Sequence, residues 1–87
     1  MSYLVSRLGD TSDHGGQIVT ASPSFKVEGI PVARIGDILD CPEHGKNPIV
    51  SSLTTQKQGG VLLAHVGSKT ECGATITTGC ASYTIGD

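Results

Sequence analysis

The chain has 87 residues with one Phe, two Tyr and no Trp, near the size at which an apolar core alone is marginal, so a staple such as a metal, a disulfide or a partner is expected. Three Cys cannot all pair within one chain, and if the protein is made in a reducing cytosol, metal ligation is the more natural use of its thiols. A net charge of −2 with only six Lys and Arg excludes the basic footprint of a nucleic-acid binder.

In chain order, MSYLVSRLGD at 1–10 lacks the basic start and apolar run of a signal peptide, so synthesis in the cytoplasm without a leader is expected. No segment approaches membrane-spanning length. QIVTA (17–21) and FKVEG (25–29) are short, β-branched and bounded by turn residues, and read as strands of about four to six residues. ILD (38–40) is given at most a single helical turn. NPIVSS (47–52), ATITTG (74–79) and SYTIGD (82–87) again read as strands. No window sustains a helical period with caps, so the fold class is all-β.

Three segments repeat one pattern: VSRLGDTSDHG at 5–15, VARIGDILDCP at 32–42 and LAHVGSKTECG at 63–73. In each, an apolar pair brackets a basic or imidazole side chain, then comes a Gly, then an acid followed by His or Cys. Gly9, Gly36 and Gly67 correspond, and so do Asp13, Asp40 and Glu71. One domain over 1–87 with repeats of about 5–31, 32–62 and 63–87 follows, and three such units suggest three faces around a pseudo-threefold axis.

His14, Cys41 and Cys72 share one register, 27 and then 31 residues apart, whereas Ile18, Ile49 and Ile76 are spaced 31 and then 27. The four extra residues of the second repeat therefore fall between Cys41 and Ile49, and they carry His44. Equivalent positions converge near a threefold axis, so His14, Cys41 and Cys72 approach one another and His44 supplies a fourth donor. Two nitrogens and two sulfurs suit one structural Zn(II) per chain, with no position left open for a substrate water.

A single C-x-x-H hook is a weak signal, and a buried Cys or a hydrogen-bonded His is the commoner use of each residue. The shared register of three repeats is what favours ligation. His65, at the register of Arg7 and Arg34, is the alternative to Cys41 as fourth ligand. Cys80 shares its register with Ser22 and Leu53 and reads as packing. Arg7 and Arg34 are placed to pair with Asp10 and Asp37 in the turns, a weak surface interaction. Two rival functions are a zinc-dependent hydrolase and a small zinc-binding nucleic-acid module. The first needs an open coordination site beside a carboxylate base, and although Asp13, Asp40 and Glu71 adjoin donors, four protein ligands close the site. The second needs paired C-x-x-C hooks and a basic surface, which this chain lacks. No catalytic residue is expected.

Taken together, GDTSDHGG (9–16), IPVARIGD (30–37), CPEHG (41–45) and SKTECGATI (68–76) resemble the PAAR-repeat proteins, with Pro31, Val32, Ala33 and Arg34 standing at the namesake Pro-Ala-Ala-Arg. The resemblance covers essentially the whole chain. It implies a small conical, pseudo-threefold β domain with one zinc near its apex and its base seated on the VgrG trimer of a bacterial type VI secretion spike. Such a tip caps and sharpens the spike, aids membrane puncture and leaves the cell on it. The family's ligands map onto His14, His44 and Cys72. Many relatives have His where this chain has Ser68, a poor zinc ligand, so the fourth contact falls to Cys41 or His65, with Cys41 preferred. A chain with three similar faces matches a trimer as a single copy, giving one chain per three VgrG subunits. With no extension after the third repeat, effectors are expected to attach non-covalently.

Overall fold

The structure is a computed structural model that describes residues 2–54 and 56–86. The described residues form nine short strands and no helix: β1 (Ser2–Leu4), β2 (Gln17–Ile18), β3 (Lys26–Val27), β4 (Ile30–Pro31), β5 (Ile38–Cys41), β6 (Gly45–Pro48), β7 (Lys57–Gln58), β8 (Val61–Leu62) and β9 (Thr84–Gly86). They pair antiparallel as β1 with β9, β3 with β4, β7 with β8, and the three-stranded sheet β2–β5–β6.

Two of these pairs are tight hairpins. Both residues of each turn take positive φ, Glu28 and Gly29 at 54° and 81°, Gly59 and Gly60 at 62° and 81°, the mirror-image turn that matches the right-handed twist of its strands. Lys26 faces Pro31 in one hairpin and Lys57 faces Leu62 in the other. In the β1–β9 pair Thr84 faces Leu4, and Leu4, Pro31 and Leu62 each stand five residues before a corresponding glycine. The first and last strands thus form a third hairpin that is open at its turn.

The three segments are joined by a closed cycle of backbone bonds. The N–H of Ser6 donates to Ala64, that of Ala64 to Ala33 and that of Ala33 to Ser6, at 3.1, 2.9 and 2.9 Å. Single-residue bridges Arg7–Val32, Arg34–Leu63 and Val5–His65 run in the same cyclic order. Ser6, Ala33 and Ala64 are all fully buried, and three backbones closing on one another leave room only for short side chains.

Two apolar clusters form the core: Ile18, Ile49 and Ile76 bury their side chains with Leu39, Cys41, Ala74 and the ring residues Ala33 and Ala64, and Val5, Val32 and Leu63 pack with Val27, Cys80 and Ile85. Each fully buried aliphatic side chain contributes about 1.5–3 kcal/mol. Cys80 packs where the sequence placed it. The principal extents are 29 × 25 × 24 Å.

Some expectations change. ILD is not a helical turn: residues 38–41 are β5, held between β2 and β6. ATITTG forms no named strand and contributes single bridges from Thr75 to Lys69 and from Ile76 to Ser12. Of SYTIGD, Thr84–Gly86 pair with β1, and residue 87 lies outside the described residues. The Asp10 and Asp37 carboxylates mainly accept the backbone N–H of Arg7 and Arg34, at 2.7 and 2.8 Å. Arg34 Nε stands 3.9 Å from Asp37, whereas the Arg7 guanidinium reaches the Val27 carbonyl and Glu28 instead.

Candidate metal centre

Each donor is delivered by its own local device. His14 rides a turn in which the Ser12 hydroxyl donates to the Gly15 carbonyl and accepts the His14 N–H. Gly16, at φ +75°, then brings the backbone against β5 so closely that a Cβ there would stand 2.0 Å from the Asp40 carbonyl oxygen. Only glycine fits this contact, and it sets His14 beside Cys41, the last residue of β5. Cys41 faces Gly45 across the β5–β6 hairpin, whose inserted loop carries His44. Cys72 lies in a turn closed by the Gly73 N–H on the Thr70 carbonyl, at 3.0 Å.

The four donor atoms of His14, Cys41, His44 and Cys72 lie within 4.8 Å of one another. Cys41 Sγ is 4.0 Å from His14 Nδ1 and 3.6 Å from His44 Nδ1, and the two imidazoles face each other at 5.7 Å. A tetrahedral zinc with bonds of about 2.0–2.3 Å separates its donors by about 3.3–3.8 Å; Cys41 and His44 stand at that spacing, and the others would close in by up to about 1 Å to hold such an ion. Cys41 is buried, His14 and Cys72 are half-buried, and His44 is exposed.

The Thr70 hydroxyl, 3.2 Å from Cys72 Sγ, is the main influence holding that thiol below its ordinary range, at about 7, against the upward push of its partial burial; the Ala74 backbone, His14 and Cys41 add to the lowering. A thiol lowered in this way gives up its proton more readily, and the thiolate is the form a metal needs. Thr70 and Gly16 escaped the sequence reading. The signal for Thr70 was available, since Ser12 and Thr70 each stand two residues before a donor.

His65 lies outside this group. It is fully buried, its Nε2 accepts the Leu53 N–H at 2.9 Å, and its Nδ1 meets the Val66 carbonyl at 2.7 Å. Both ring nitrogens are therefore engaged, which leaves Cys41 as the fourth member of the cluster. Ser68 is a turn cap that accepts the His65 N–H at 3.1 Å. Of the acids beside the donors, Asp13 accepts the Thr75 N–H at 2.9 Å, while Asp40 and Glu71 are exposed.

The PAAR motif matches residues 8–78 of the chain, a span that holds all four donors and all three glycine turns. The chain belongs to the PAAR motif family. Members of this family sit at the tips of type VI secretion spikes and are associated with VgrG. No curated protein matches the chain.

Proposed function

We propose that this PAAR protein is a single domain of three repeats, about 5–31, 32–62 and 63–87, that caps the VgrG trimer with one copy per three subunits. His14, Cys41, His44 and Cys72 bind one Zn(II) that fixes the narrow end of a conical tip. The observation that carries the reading is the meeting of two imidazoles and two thiols from three separate segments within 4.8 Å, in a chain of this family. Four protein donors of that kind close a tetrahedral ion and leave no site for a substrate, so the metal's role is structural and the protein is not an enzyme. The cyclic order of the bridges Arg7–Val32, Arg34–Leu63 and Val5–His65 supports the stoichiometry, because one chain can then offer near-equivalent edges to three identical subunits. The tip aids effector attachment and meets the target membrane only during firing.

Two measurements test this. Anomalous scattering at the zinc edge should place one ion between the four donors. Native mass spectrometry of the complex should give one chain per VgrG trimer, and a ratio of three to three would sink the capping model.

A further inference from the structure

At the register where the first two repeats carry Arg7 and Arg34, the third carries His65, and its ring is fully buried. The ring's partners fix its proton. A peptide N–H can only donate and a carbonyl can only accept, so with Leu53 N–H on Nε2 at 2.9 Å and the Val66 carbonyl at Nδ1 at 2.7 Å the ring is neutral and protonated on Nδ1.

The repeats supply the comparison. The residues equivalent to Leu53 are Ser22 and Cys80, and their N–H groups donate to the Val32 and Val5 carbonyls, both at 2.8 Å. In the second repeat the corresponding Leu63 carbonyl is taken by the Ser52 hydroxyl at 2.8 Å, and the Leu53 N–H turns to the imidazole. Ser22 and Cys80 are buried, whereas Leu53 is 61% exposed. Two repeats thus close this bond on a carbonyl oxygen, and one closes it on an imidazole nitrogen, the kind of acceptor that a proton can occupy instead.

We propose that His65 is a pH-sensitive latch, its neutral ring holding the Leu53 peptide against the body and its protonation releasing that peptide, while Ser51, Ser52 and Thr54 keep their own bonds to Lys69, Leu63 and Gly86. A second ring proton would have to sit on Nε2, facing the Leu53 N–H, and would set two donors against each other with no acceptor between them. The groups that meet the ring are Tyr3 of β1, stacked on it at 4.5 Å, the Leu53 N–H, the Val66 carbonyl and the Gly67 turn. Tyr3 is the titratable group in contact with it, and among the described residues no carboxylate pairs with the ring. The closed form holds fewer protons than the open one, so the open population grows as pH falls.

Nuclear magnetic resonance on the full chain with excess zinc tests this. Imidazole shifts should report the Nδ1–H tautomer at neutral pH. Amide protection should be followed at Leu53, Ser22 and Cys80 from about pH 7.5 to about pH 5, the range in which an imidazole changes charge. Protection at Leu53 should fall by up to about tenfold per pH unit, the limit for one linked proton, while Ser22 and Cys80 keep theirs. In His65→Gln the pH dependence at Leu53 should vanish, and if that variant does not fold, the wild-type measurement decides alone. Parallel loss at all three amides would assign the transition to the metal centre and overturn the latch. So would constant protection at Leu53, a proton on Nε2 at neutral pH, or a pH dependence that survives in His65→Gln.

Discussion

Cys41 and Cys80 are both 1% exposed, and each belongs to one of the two apolar clusters. Their surroundings differ in kind. Cys41 Sγ faces the imidazoles of His14 and His44 with Cys72 nearby, a set of lone pairs that converge on one point. Cys80 Sγ lies 3.5 Å from a Glu28 carboxylate oxygen and 3.3 Å from the Ser82 hydroxyl, partners that a protonated thiol satisfies without any ion. Depth of burial does not separate a ligand cysteine from a packing cysteine; the chemistry of its neighbours does.

The largest break in that comparison should come from Cys41→Ser or Cys72→Ser. Structural zinc contributes on the order of 10–16 kcal/mol to domains that fold with it, so each change should remove stoichiometric zinc by elemental analysis and lower Tm by more than about 10 °C. His65→Ala should keep one zinc per chain, and loss of zinc there would move the fourth ligand away from Cys41. Next, Gly16→Ala forces a Cβ into the Asp40 carbonyl at a left-handed φ. Chemical denaturation should show a cost of about 3 kcal/mol or more, with weakened zinc binding because β5 moves at Cys41. Thr70→Val keeps the shape but removes the hydroxyl from Cys72, and competition with a chelator should show zinc affinity lowered by about 10–100-fold. The smallest effect belongs to Cys80→Ser, which retains Ser82 and Glu28 as partners. It should cost about 1 kcal/mol and leave zinc content unchanged; equal effects of Cys72→Ser and Cys80→Ser would erase the distinction between the two regions.

Much of the donor cluster was legible because it depends on register. His14, Cys41 and Cys72 recur at one place in three repeats, and the insertion that displaces the register carries His44. The choice between Cys41 and His65 was not legible, because it turns on a single N–H, that of Leu53, which departs from the pattern of Ser22 and Cys80 without any change in spacing. ILD was misread because three apolar and acidic residues show neither alternation nor helical period, and only pairing with β2 and β6 on both sides makes them a strand. Pairing of β1 with β9 leaves no local turn signal at all. Gly16 matters through a contact with Asp40 that no spacing rule contains.

That first and last strands are partners has a consequence in time. During synthesis β3–β4 and β7–β8 can close as soon as their turns emerge, since each contact is local. Ser2–Leu4 precede their partners Thr84–Gly86 by most of the repeat region and must wait for them, with loop-closure entropy still to be met. Until then a nascent chain carries an unpaired strand edge, open to another copy's. Maturation of this small body is therefore gated by the arrival of β9.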